Sequence, residues 1–163
     1  MDVLVREARD NELGEVGAVT AAAYDGIVSP EYLVVLRDAR PRRDAPHTTL
    51  LVALDDGTEG LLGTVVYAAA GSPYRNLGRD AESEIRMLGV LAAARGRGVG
   101  EALVQACVAR AKAQGCPRLV LSTEPEMLAA QRLYTRLGFA RTPQRDWTFK
   151  PGLSLLTYAL ELG

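Results

Sequence analysis

The segment Glu84-Ile85-Arg86-Met87-Leu88-Gly89-Val90-Leu91-Ala92-Ala93-Ala94-Arg95-Gly96-Arg97-Gly98-Val99-Gly100 limits the fold more than any other part of the chain. Its apolar start reads as a strand over residues 84–91, and its end opens an amphipathic helix running from Val99 or Gly100 to Gln114. The loop between them carries Arg95, Gly96, Arg97 and Gly98. Glycines leave backbone N–H groups unobstructed and permit φ > 0, so several amides can point at one anion. A helix start adds unpaired donors and a dipole worth ~0.3–1 kcal/mol to an anion. Arg95 and Arg97 contribute charge-assisted donors suited to phosphate oxygens. A strand, a phosphate cradle and a helix in that order are the parts of an α/β architecture.

Two common phosphate sites do not match. A P-loop requires Gly-Lys-Ser/Thr after its glycine loop, which is missing here. A dinucleotide fingerprint has G-x-G-x-x-G in the first strand-to-helix turn and an acid about 20 residues on. The spacing Gly96-x-Gly98-x-Gly100 differs, and the loop follows four candidate strands; Glu124 is the acid that this weaker alternative would use.

The rest of the chain supplies a mixed sheet with helices on both faces. A first strand is expected over residues 3–8, then a helix capped by Asp10 and bearing Leu13, Val16, Val19, Thr20 and Ala23 at helical spacing. A second helix starts at Ser29-Pro30, and residues 37–44 read as a loop in which Pro41 stops it. Residues 48–54 and 61–69 form an antiparallel hairpin around the turn at residues 55–60. Beyond the 84–91 strand and its helix, Gly115 and Pro117 end that helix, and residues 119–122 make a short buried strand. Thr123-x-x-Glu126 fits a capping box for a helix bearing Ala129, Ala130, Leu133 and Leu137 and ended by Gly138. Two more strands follow, the last with Leu156, Tyr158, Leu160 and Leu162 on one face; pairing through it is the basis for expecting a homodimer.

Composition narrows the function. Nineteen basic and twenty acidic side chains give a net charge of -1, which argues against a dedicated nucleic-acid partner. Cys107, Cys116 and the single His47 cannot build a disulfide framework or a histidine metal site, so no metal is expected. The charged start, Met1 to Glu7, lacks a leader's apolar run, and no stretch approaches the roughly 20 apolar residues of a membrane span. A soluble cytoplasmic chain, 1–163, forming one domain without a membrane partner, is the resulting expectation.

Arg95-x-x-Gly98-x-Gly100 after Leu88-x-Val90 resembles the acetyl-CoA motif of the GNAT superfamily of N-acetyltransferases. Ala130-x-x-x-Tyr134-x-x-x-Gly138-Phe139 resembles that family's second signature. The resemblance implies a GNAT acyl-CoA N-acyltransferase fold, a central mixed sheet of about seven strands flanked by about four helices. It implies acetyl-CoA as cosubstrate and transfer to a primary amine. Leu88, Gly89 and Val90 would then align pantetheine and the acetyl carbonyl through strand backbone groups, and Arg95, Gly96, Arg97, Gly98, Val99 and Gly100 would hold the pyrophosphate. Tyr134 matches the tyrosine that protonates the departing thiolate, and Glu84 matches the base position of the histone acetyltransferase branch. The chain departs from the family in Met127 for a frequent asparagine, Ala92 for a frequent proline and Ser122 for a fifth-strand glutamate. A small-molecule or amino-acid-like amine is favoured over a protein acceptor because the acidic chain shows no extended docking surface. A CoA-binding module without catalysis is the alternative, motivated by Met127.

Other residues have plainer readings. Cys107 falls on the buried face of its helix and Cys116 follows Gly115 as a structural thiol. His47 reads as a loop residue and Trp147 as packing under the terminal hairpin. The arginines at 37, 40, 42 and 43 read as a solvated face, and Tyr24, Tyr32, Tyr67 and Tyr74 as candidates for an acceptor wall.

Overall fold

Hydrophobic runs of strand period alternate with helical ones, and they assemble into a sheet covered on both sides. The computed structural model describes residues 3–56 and 60–163. Its elements are β1 (Val3–Glu7), α1 (Leu13–Tyr24), α2 (Pro30–Arg37), α3 (Arg40–Asp44), β2 (Thr48–Asp55), β3 (Leu61–Ala68), β4 (Ser83–Val90), α4 (Val99–Ala113), β5 (Arg118–Thr123), α5 (Leu128–Arg136), β6 (Ala140–Arg141), β7 (Trp147–Lys150) and β8 (Leu153–Glu161). The strand order is β1-β2-β3-β4-β5-β8-β6, with β7 also pairing β8. β4 and β5 run parallel, while the remaining neighbours are antiparallel. This is the expected mixed α/β sheet.

The period-2 alternation of β2 and β3 sends residues to two cores. Leu51, Ala53, Val65 and Tyr67 pack under α4 with Leu103, Val104, Cys107 and Ala111. Leu50, Val52 and Val66 pack under α1 and α2 with Val16, Val19, Leu33 and Leu36. α1 lies close against α2 at Gly17, where an added Cβ would sit 1.9 Å from the carbonyl oxygen of Arg37. Backbone cannot yield there as a flexible side chain would, so Gly17→Ala is expected to cost about 3 kcal/mol by overpacking. Thermal unfolding should show this as a drop of roughly 6–12 °C.

Several local expectations give way. Asp10 begins a short 3-10 turn instead of capping α1; its carboxylate pairs with Arg40 (2.9 Å) and Arg43 (2.8 Å). Those arginines lie on α3, in the segment expected as loop, because Pro41 falls in the first turn, where its missing N–H has no cost. Arg42 is not solvated but 1% exposed, and it donates to the carbonyls of Leu36 (2.9 Å) and Asp38 (3.2 Å) at the end of α2. A buried guanidinium thus replaces the water those terminal carbonyls would otherwise need. Thr123 ends β5 instead of capping α5, whose first turn follows Met127 with no side-chain cap. β8 pairs with β5 from Leu156 to Glu161, with β6 at Tyr158 and Ala159, and with β7 from Leu153 to Leu155. Gly57, Thr58 and Glu59 of the expected hairpin turn, like Met1 and Asp2 of the expected leader-free start, lie outside the described residues. No helix among the described residues is long and apolar enough to cross a membrane.

Candidate active site

The site begins where two parallel strands part. β4 and β5 pair at Ser83 with Leu119, Glu84 with Val120 and Ile85 with Leu121, and then no further. On its other side, β4 shifts register against β3: Thr64 opposes Gly89 but Val66 opposes Arg86. One extra residue is therefore inserted into β4, and Met87 takes a positive φ of 55°. Such a bulge bends and twists its strand. Past Ile85, the β4 backbone has no strand partner on the β5 side, leaving its polar groups to a ligand.

A groove of about 480 Å³ lies beside this opening, lined by Leu88, Gly89 and Val90 from β4, Arg95 to Gly100 except Arg97 from the loop and α4, and Ala130 and Leu133 from α5. Gly96 and Gly98 hold φ of 78° and 81°, and a Cβ added at either meets nothing within 4 Å. The cradle amides are thus positioned by a backbone that L side chains disfavour, with open space in front. The first-turn N–H groups of α4 lack acceptors within the helix and are available to an anion. Val99 is 1% exposed and anchors the helix start in the core. The Arg97 guanidinium is 3.2 Å from Asp55, and its side chain does not line the groove.

At Leu88 and Met127 the groove meets an inner pocket of about 90 Å³ that contains Glu84 and Tyr134. Glu84 is 1% exposed, and its Oε1 accepts hydrogen bonds from the N–H groups of Leu77 (2.7 Å) and Gly78 (2.8 Å). Burial pushes its carboxyl up, against the smaller opposing effect of those N–H groups. Two residues away, Glu82 is set the other way. Although burial opposes ionisation, hydrogen bonds from Arg145 (2.9 and 3.0 Å) and Arg118 (2.9 Å) hold Glu82 down at about 2. Arg145 also donates to the carbonyl of Leu77 (3.0 Å), which clamps the loop that carries Glu84's donors. One acid is therefore a fixed charge and its neighbour can exchange a proton.

Tyr134 packs its ring against Phe139 and Tyr158, both at 5.9 Å between centroids. Burial raises its phenol, so it stays protonated at physiological pH. Among the described residues its hydroxyl makes no hydrogen bond, and it lines the inner pocket.

An outer cleft of about 370 Å³ shares Tyr32, Asn76, Arg86, Glu124 and Trp147 with the inner pocket. Arg86 donates to the Tyr32 hydroxyl (2.9 Å) and the Tyr74 carbonyl (3.2 Å). Trp147, expected only to pack, donates from Nε1 to the Ser122 Oγ (2.9 Å) and walls both spaces. Of the four candidate wall tyrosines, Tyr24 and Tyr32 line the inner pocket. Tyr67 instead bonds Ser83 and Gln114 on the α4 side. His47 and Cys107 lie elsewhere, the latter wholly in the core, and Cys116 bonds Ser83 and the Ala81 carbonyl. No group of three or more potential metal-ligating side chains occurs among the described residues. Sequence reasoning missed Arg86, Trp147 and the acceptor-side position of Glu124. Only the end of β5 opposite the widened gap could have marked Glu124.

Residues 18–139 match the model of the Acetyltransferase (GNAT) family, and the chain belongs to that family. The mycothiol acetyltransferase of Salinispora arenicola is 37% identical over 110 residues, 64% of this chain and 34% of that protein. The chain spans about a third or less of the length of the curated relatives it matches. An acetyltransferase of the GNAT family from Staphylococcus aureus Mu50 superposes with a TM-score of 0.77 at 15% identity, covering 99% of this chain and 100% of that one. A structure from Salmonella typhimurium solved with its cofactor acetyl-CoA gives a TM-score of 0.65 at 20% identity, covering 100% of this chain and 95% of the other.

Proposed function

We propose that the chain moves an acetyl group from acetyl-CoA directly to a primary amine, borne by a small molecule or an amino-acid-like acceptor. The observation that carries this reading is the junction at Leu88 and Met127, where the groove with the glycine cradle opens onto a pocket holding a protonatable acid and a protonated phenol. Acetyl-CoA supplies an activated thioester when bound. The donor set fits it: the cradle of Gly96, Gly98, Val99 and Gly100, with Arg95 beside it, offers amides and a cation to a pyrophosphate. On the side facing away from β3, the β4 backbone from Leu88 to Val90 has no strand partner and offers its groups to an amide-bearing arm and a carbonyl.

An alkyl ammonium with a pKa near 10.4 must lose its proton before attack, at a cost of roughly 4 kcal/mol at neutral pH. Glu84, or a water it holds, takes that proton, and burial, by pushing its carboxyl up, makes its carboxylate the stronger base. Tyr134 gives its proton to the sulfur that leaves. Direct attack needs no enzyme nucleophile, in agreement with structural roles for Cys107 and Cys116. The narrow inner pocket and the relatives named mycothiol acetyltransferase support a small acceptor.

Thermal unfolding in parallel with acetyl-CoA, CoA and NADH tests the cofactor. A ligand at about 100 Kd adds about 2.7 kcal/mol, which is roughly 5–10 °C here. The CoA ligands alone should produce it; a shift with NADH alone would overturn the assignment. Thiol release across a panel of primary amines then tests transfer, and CoA binding without release to any amine would leave a binding module instead.

A further inference from the structure

One peptide group lies between a buried arginine and the candidate base. Residues 69–82, which join β3 to β4, form neither helix nor strand, so side chains have to hold them in place. Within them the Leu77–Gly78 peptide is gripped at both ends. Its N–H, from Gly78, donates to Glu84 Oε1 (2.8 Å), and its C=O, from Leu77, accepts from the Arg145 guanidinium (3.0 Å). The peptide is trans, so the two groups point in opposite directions and one plane connects the cation to the carboxylate.

Arg145 comes from the β6–β7 connection, 68 residues away in sequence. Its side chain is 10% exposed and is fixed by a two-armed pair with Glu82 (2.9 and 3.0 Å). Glu82 also accepts from the Arg79 N–H (3.0 Å), and Arg75 donates to the carbonyls of Asp80 (2.8 Å) and Glu82 (2.9 Å). Those bonds tie down the end of the connection nearest β4, and Arg145 reaches back from it to Leu77.

A glycine follows the gripped plane. Turning the plane over rotates ψ of Leu77 and φ of Gly78, and glycine accepts φ of either sign. The flipped peptide would present its oxygen to Glu84 and repel the carboxylate. By holding that oxygen, Arg145 keeps the N–H on Glu84, and a cation on the carbonyl also polarises the peptide and strengthens its donation. Burial pushes the Glu84 carboxyl up, and the Gly78 N–H is the largest opposing influence, ahead of the Leu77 N–H and the Arg86 guanidinium on β4. The other titratable groups around the pocket are Tyr24 on α1, Tyr32 on α2, Glu124 after β5 and Tyr134 on α5.

We propose that Arg145 is a positioning residue for Glu84, locking the Leu77–Gly78 peptide so that its N–H stays on the carboxylate and Glu84 remains an ionised proton acceptor. This rests on the reading of Glu84 as the base and adds what sets its protonation.

A 13C-NMR titration of the Glu84 carboxyl in the ligand-free protein tests this without any turnover. Arg145→Gln should raise the midpoint by at least about one pH unit, tenfold in proton affinity, as loss of one hydrogen bond to a charged group allows. The paired variant Glu82→Gln/Arg145→Gln should raise it by as much. That variant removes a cation and an anion together, so it strands no buried charge and leaves the net charge near Glu84 unchanged. A midpoint at the wild-type value in either folded variant overturns the proposal. In the wild type, the Gly78 amide proton should titrate with the Glu84 midpoint; an amide that ignores Glu84 overturns the proposal whether or not the variants fold. With Glu84 as the base, the acid limb of kcat for thiol release moves up with the midpoint. Failure of the acetyltransferase reading looks different: the midpoints shift as stated while no amine releases thiol from acetyl-CoA.

Discussion

Gly98→Val is expected to weaken acetyl-CoA binding by at least about a hundredfold, the equivalent of losing one or two charge-assisted hydrogen bonds. Gly98 sits at φ 81° as the residue before α4, and the space beyond its missing Cβ is empty of protein. A valine there meets two penalties of different size. The left-handed backbone costs about 1–2 kcal/mol for an L side chain, which lowers stability without preventing folding. The side chain also fills the open front of the cradle and turns the amides of the first α4 turn away from a pyrophosphate. Binding should therefore fall much further than the melting temperature. Calorimetry with acetyl-CoA beside a melting curve separates the two effects. Near-normal affinity in a folded Gly98→Val protein would remove the cradle from the cofactor site.

Tyr134→Phe should lower kcat by about a hundredfold or more, with acetyl-CoA affinity and melting temperature almost unchanged, as loss of a positioned general acid predicts. The ring makes the packing contacts to Phe139 and Tyr158, and phenylalanine keeps them. The hydroxyl bonds no described residue, so its removal strands no buried partner. What disappears is a donor on the wall of the inner pocket. Steady-state thiol release against a saturating amine gives kcat directly. Unaltered turnover in the phenylalanine variant would show that the leaving thiolate takes its proton elsewhere.

Both predictions concern residues that local sequence already marked. The cradle is legible because its physics is local: Gly96 and Gly98 supply positive φ, and the helix after them supplies unpaired N–H groups. Tyr134 is legible through the resemblance of Ala130-x-x-x-Tyr134-x-x-x-Gly138-Phe139 to the family's second signature. Elsewhere local reasoning failed where a distant partner decided. The run from Arg40 to Asp44 looks like a solvated loop until Asp10 reaches its arginines and the end of α2 takes Arg42 into the interior. The partner of the Arg97 guanidinium, Asp55, is likewise far away in sequence.

The sequence by itself determined the mixed α/β class, the central strands and the strand-to-helix cradle, because hydrophobic period and glycine placement act within a few residues. Tertiary structure alone decided the site's shape. The bulge at Met87 and the early end of β4–β5 pairing open the gap, and no periodicity in either strand announces them. Opposite protonation tendencies in Glu82 and Glu84 come from two arginines delivered by other parts of the chain. Charge and burial at a site sum over everything nearby in space, and a sequence specifies those neighbours only through the fold it adopts.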